Sequence, residues 1–129
     1  MRQPHGPKPI RVLLVDDHGV VRQGFRMILS QHSDIQVVGE TATGREAVEL
    51  AAKLSPDVIV LDIAMPDMNG VEAARQIRQN SPQCGILVLS MHSDPAYVRE
   101  TLRVGAKGYL LKDSIDRDLL TAVRRRLDN

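Results

Sequence analysis

Four short stretches of this chain carry side chains able to do polar chemistry: Asp16-Asp17-His18, Asp62, Ser90-Met91-His92 and Lys112-Asp113. Carboxylates gathered in one place repel one another unless a cation joins them. Hard oxygen ligands that leave room for water suit Mg²⁺ or Mn²⁺ rather than zinc. Adjacent Asp16 and Asp17 let one carboxylate ligate directly while the other acts through water. A carboxylate is also a nucleophile towards phosphorus. A cation beside Asp62 would neutralise charge on a transferring phosphoryl group, with the Lys112 ammonium and the Ser90 hydroxyl on its other oxygens. These residue types together point to a phosphoryl-accepting aspartate that needs Mg²⁺.

Such chemistry requires elements that bring the stretches to one edge. Five apolar runs stand immediately before or around them: Ile10 to Val15, Ile35 to Gly39, Val58 to Leu61, Ile86 to Leu89 and Gly108 to Leu111. The first, third and fourth are β-branched or Leu through their centres, without polar alternation, as strands buried on both faces require. Helix-period segments lie between the runs. Val20-Val21, Phe25 and Ile28-Leu29 form one, and Gly44 to Leu54 a second, stopped by Ser55-Pro56. Gly70 to Asn80 is the third. The fourth opens at Asp94-Pro95, a cap before a first-turn proline, and ends near Gly105. The last starts at Ser114 or Asp116 and carries Leu119-Leu120, Val123 and Leu127. The pattern is α/β, a doubly wound (βα)₅ domain with right-handed crossovers. Ligands of such sheets bind beyond the carboxyl ends of the strands, where all four stretches fall.

Composition narrows the function classes. A chain of 129 residues with 43% hydrophobic residues makes one domain with a real core. The formal charge of +1 hides basic ends summing to +4 and a body, residues 12–113, of −3. That acidic body disfavours a nucleic-acid groove. With only Phe25, Tyr97 and Tyr109 as aromatics, base-stacking platforms are disfavoured too. Cys84 is alone, which fits a reducing, cytoplasmic setting. No apolar run approaches the roughly 18 residues of a membrane span. Residues 1–9, with Pro4, Pro7 and Pro9, read as a flexible leader.

Taken singly, each feature has an ordinary reading. Asp-Asp after a strand is a common helix-cap region, Asp62 before Pro66 is turn chemistry, a lone Ser or Lys is solvated, and His18 and His92 are loop residues. Joint placement at four of five strand ends carries the chemical reading instead. The same residues carry a resemblance. Val15-Asp16-Asp17-His18, Asp62 through Gly70, Leu89-Ser90 and Gly105 through Lys112 resemble the response-regulator receiver domain across residues 10–127. Asp17-His18 with Val21-Arg22-Gln23-Gly24, Val38-Gly39-Glu40, Ser90-Met91-His92 and Lys112-Asp113-Ser114 resemble its NarL/FixJ subgroup.

The resemblance implies a flavodoxin-like sheet of order 2-1-3-4-5. It implies that Asp62 accepts a phosphoryl group from a sensor histidine kinase, with Asp17 on Mg²⁺ directly, Asp16 mainly through water and the Ala64 backbone carbonyl completing the site. Lys112 would pair with Asp62 or its phosphate, Ser90 would follow the phosphate inward, and Tyr109 would fill the vacated space. It further implies homodimerisation on phosphorylation and a C-terminal helix-turn-helix output domain as the route to DNA in the natural protein. The chain itself would catalyse only its own phosphotransfer and autodephosphorylation. Receivers commonly carry Pro after the switch-strand Lys through a cis peptide; Asp113 stands there, and the geometry is open. Ala64 and His92 occupy positions that tune dephosphorylation. Arg124-Arg125-Arg126 read as the solvated end of the last helix. A dehalogenase-like phosphatase would want Asp-x-Asp on its first strand, and a flavin binder a phosphate loop. A degenerate receiver would lack some of the five site residues, all of which are present.

Overall fold

The computed structural model describes residues 8–63, 65, 68–90 and 95–125, with the side chains of all of these except 97, 98 and 114–117. In chain order the elements are β1 (Ile10–Val15), α1 (Gly19–Ser30), β2 (Ile35–Thr41), α2 (Gly44–Leu54), β3 (Val58–Asp62), α3 (Gly70–Asn80), β4 (Gly85–Ser90), α4 (Pro95–Arg103), β5 (Gly108–Leu111), a 3₁₀ turn (Lys112–Ser114) and α5 (Ile115–Arg125). The five strands form one parallel sheet in the order β2-β1-β3-β4-β5. This is the doubly wound, flavodoxin-like arrangement expected from the sequence.

The apolar runs lack polar alternation because both sheet faces are covered. Alternate residues of one strand enter opposite cores. Leu13, Val15, Ile59, Leu61, Ile86 and Val88 pack beneath α2 and α3, whose contributions are Ala47, Ala51, Ala73, Ala74 and Ile77. Val12, Leu14, Val58, Val60, Leu87 and Leu89 pack on the other face against Phe25 and Leu29 of α1 and Leu119 and Val123 of α5. With so few aromatics, both cores are filled by branched aliphatics.

Three strands run further than their apolar runs suggest. Asp62 and Ser90, one residue past the apolar runs, are the last residues of β3 and β4, at the strand ends that the sequence assigns them. β2 continues two residues past Gly39 to Thr41. The reason is a bulge: Val12 pairs with Val37 but Leu13 pairs with Gly39, so Val38 is an extra residue in the ladder. Beyond it the faces of β2 are exchanged. Gly39 then falls on the α2 side, where a Cβ would lie 2.9 Å from Leu54 Cδ1, and Glu40 turns towards α1.

Two helix starts are fixed by side-chain caps. Thr43 accepts from the Glu46 N–H at 3.1 Å, and Asn69 accepts from the Glu72 N–H at 2.9 Å. α4 ends at Arg103, just before Gly105 at φ +121°; its expected cap Asp94 lies outside the described residues. α5 begins at Ile115, after the 3₁₀ turn. No cis peptide bond occurs among the described residues, so the Lys112-Asp113 link is trans. Near the end of α5, Arg124 is not merely solvated. Its Nε and Nη2 donate to Asp34 Oδ2 and Oδ1 at 2.7 and 3.0 Å, tying α5 to the turn before β2.

Candidate functional site

The carboxyl ends of β1, β3 and β5 form one pocket. Asp16 follows β1, and its N–H donates to the Thr41 carbonyl at 3.1 Å. Asp62 closes β3; the next N–H, that of Ile63, donates to Leu89 O at 3.0 Å. Both carboxylates are almost wholly buried, each residue only 1% exposed. Lys112 follows β5 and sends its chain between them, with Nζ 3.1 Å from Asp16 Oδ2 and 3.2 Å from Asp62 Oδ2. A buried ammonium set between two buried carboxylates offsets their desolvation. Asp17 lies at the rim.

His18, read from sequence as a loop residue, belongs to this group. Its backbone N–H donates to Asp16 Oδ1 at 2.8 Å. Its Nδ1 lies 3.2 Å from Asp16 Oδ1, 3.3 Å from Asp17 Oδ1 and 4.0 Å from Asp62 Oδ2. A ligand atom from each of Asp16, Asp17, His18 and Asp62 falls within 4.8 Å of the others. The donor set fits a divalent cation. Asp16 Oδ2 and Asp17 Oδ1 are buried oxygens with no hydrogen-bond partner among the described residues; Asp16 Oδ2 faces the Lys112 ammonium, and a bound cation would offset their burial further. Oxygen dominates the set, which suits Mg²⁺ or Mn²⁺. Ala64, whose carbonyl the sequence reading adds to the ligands, lies outside the described residues, as does His92.

The two remaining residues lie on the neighbouring strands β4 and β5. Ser90 is buried at the end of β4, beside Leu111 in the ladder. Tyr109 pairs with Val88 on β5 and is 42% exposed. It borders a cleft of about 400 Å³ between β5 and α5 whose walls include Asp118, Thr121 and Arg125. The fold therefore brings Asp16, Asp17, Asp62 and Lys112 together, with Ser90 on the neighbouring strand end and Tyr109 facing outward. Behind the cluster is a residue that the sequence reading passed over except as part of a string, Arg22. It sits one turn into α1, its N–H bonded to His18 O at 2.9 Å, and its guanidinium donates to the Asp16 carbonyl.

An open parallel sheet of this order, with an acidic pocket and a bridging lysine at its strand ends, is a receiver-type arrangement, and comparison by sequence agrees. The response regulator receiver domain matches residues 12–124, and the chain belongs to that family. It is 42% identical over 124 residues to the transcriptional regulatory protein DegU of Brevibacillus brevis, covering 96% of this chain and 52% of that protein. It is 45% identical over 116 residues to the response regulator VraR of Staphylococcus aureus, covering 90% and 56%. Among solved structures, the signal receiver domain of the response regulator NarL from Mycobacterium tuberculosis superposes with a TM-score of 0.83 at 38% identity, covering 92% of this chain and 98% of that one. These relatives place the receiver in the NarL/FixJ subgroup of two-component systems. The chain spans about half the length of the curated relatives it matches. No helix among the described residues is long and apolar enough to cross a membrane.

Proposed function

We propose that the chain is the phosphorylation switch of a two-component response regulator, with Asp62 as acceptor. The observation that carries this is the convergence of Asp16, Asp17 and Asp62 with Lys112 Nζ held between two of them. An Asp62 oxygen attacks the phosphorus of a phosphohistidine on a sensor histidine kinase. The P–N bond breaks as the new P–O bond forms, and the imidazole nitrogen keeps the electron pair. Asp17, Asp16 through water, Asp62 and the Ala64 carbonyl would hold Mg²⁺ or Mn²⁺, which when bound neutralises charge on the transferring group. Lys112, already 3.2 Å from Asp62 Oδ2, moves onto a phosphoryl oxygen. Hydrolysis of the acyl phosphate at the same place resets the switch, so the chain turns over only its own phosphate.

The signal leaves through the neighbouring strands. The Ser90 hydroxyl follows the phosphate inward, and Tyr109 turns from its exposed position into the space released. A coupling of about 1–3 kcal/mol is enough to bias such a two-state element. The output is transcriptional, through a C-terminal helix-turn-helix domain and a homodimer formed on phosphorylation, in the cytoplasm. Mg²⁺-dependent labelling with acetyl phosphate or beryllofluoride tests the reading. Labelling is expected to vanish in Asp62→Ala and persist in Asp34→Ala, a surface control. Equal labelling of Asp62→Ala removes the assignment, and sustained turnover of a free phosphate ester would make the chain a phosphatase instead.

A further inference from the structure

The Asp16 peptide is gripped from both sides. Its N–H is bound by the Thr41 carbonyl of β2, and its C=O accepts from Arg22 Nη1 of α1. Arg22 is itself aligned by Glu40, whose Oε1 lies 3.2 Å from Arg22 Nε, while Glu40 Oε2 lies 3.2 Å from Arg26 Nε. Arg22 and Glu40 are three-quarters shielded from solvent, so the pair is less screened than a surface ion pair. Glu40 can reach α1 only because the bulge at Val38 exchanges the faces of β2. In an unbulged ladder Glu40 would fall on the α2 side.

We propose that Arg22, oriented by Glu40, is a positioning residue for the cation site. Fixing both polar groups of the Asp16 peptide fixes the direction of the Asp16 side chain and the path into Asp17 and His18. Groups that orient metal ligands from behind affect metal affinity even though they never touch the ion. The inference rests on the reading of Asp16, Asp17 and Asp62 as a Mg²⁺ site, and its test separates the two.

Calorimetric titration of Mg²⁺ into the 129-residue chain is the measurement, paired with thermal unfolding in EDTA. Arg22→Met keeps the aliphatic stem and removes the donors, and is expected to weaken Mg²⁺ binding about tenfold. Arg22→Lys, which can still donate to the Asp16 carbonyl, recovers part of the loss, and Glu40→Gln gives a smaller loss. Arg103→Ala, which removes an exposed cation of α4 that is paired with Glu100, leaves the affinity unchanged. A merely structural Arg22 would lower the melting temperature in EDTA without altering the dissociation constant of the folded variant. An unchanged constant in folded Arg22→Met overturns the proposal. Should that variant not fold, unchanged constants in both Arg22→Lys and Glu40→Gln overturn it. Absence of Mg²⁺ binding by the unaltered chain overturns the acceptor-site reading itself, and this proposal with it.

Discussion

Among the described residues, Lys112 carries the positive charge that penetrates the pocket between Asp16 and Asp62, its side chain 7% exposed and theirs 1% and 2%. Replacement by Met leaves two buried carboxylates without their cation, at a cost of about 3 kcal/mol in the metal-free chain. Urea denaturation in EDTA reads that loss, and added Mg²⁺ should return more stability to Lys112→Met than it adds to the unaltered chain. An equal Mg²⁺ increment in both would mean that lysine and metal do not share the carboxylates. Asp17→Asn acts in the opposite direction. With one repelling charge gone, the metal-free chain gains about 1 kcal/mol, the usual exchange of site function for stability, and the Mg²⁺-induced rise in melting temperature shrinks. At this scale the sequence was legible wherever a residue's place is set by the strand that ends beside it, as for Asp16, Asp62 and Lys112. It was not legible for His18 or Arg22. Their contacts depend on which way the first turn of α1 leaves the sheet, and no periodicity records that direction.

Gly70 links an element boundary to Asp62, the proposed acceptor. Its N–H donates to Ile63 O at 2.7 Å, and a Cβ at this position would lie 2.4 Å from Ile63 Cα. The obstacle is backbone, directly after Asp62, so no side chain can yield. Gly70→Ala is expected to cost about 2 kcal/mol and to slow acetyl phosphate labelling, because relief of the clash must displace the loop that follows the acceptor. Unfolding midpoints and labelling rates on the same preparation check both parts. The helices of this fold were plain in the sequence: Gly70 to Asn80 and Gly44 to Leu54 have the bounds that their caps and stop signals impose. The end of β2 was not. Gly39 and Glu40 are poor strand formers and break the alternation, and the stretch to Thr41 extends the ladder because β1 pairs with it across the bulge.

Across the whole molecule, the contact between Arg124 and Asp34 joins residues 90 positions apart. The hydrogen bond from Arg124 holds the Asp34 carboxyl below its ordinary value of 3.8 and raises the guanidinium in turn. Since the folded value is the lower one, the contact's contribution is present above the unfolded value and lost as pH falls through the folded one. Urea midpoints of the unaltered chain and Asp34→Asn should therefore differ at neutral pH, more at low salt than at high, and converge once the pH falls below the lowered Asp34 value. A gap that persists into acid would assign the effect to another group. Burial pushes the Cys84 thiol up, so iodoacetamide should modify it only at the rate of unfolding. Modification faster than unfolding would mean that the Ser81 to Gly85 turn opens locally.

The bulge at Val38 has one more effect. β2 is an outermost strand, and a long, even row of unpaired backbone groups is a template on which another chain can add a strand. The extra residue breaks that row and twists it away from a straight ladder, while β5, the opposite border, offers only four residues. The irregularity that sends Glu40 to α1 thus also protects an apolar, fully parallel sheet from assembling edge to edge.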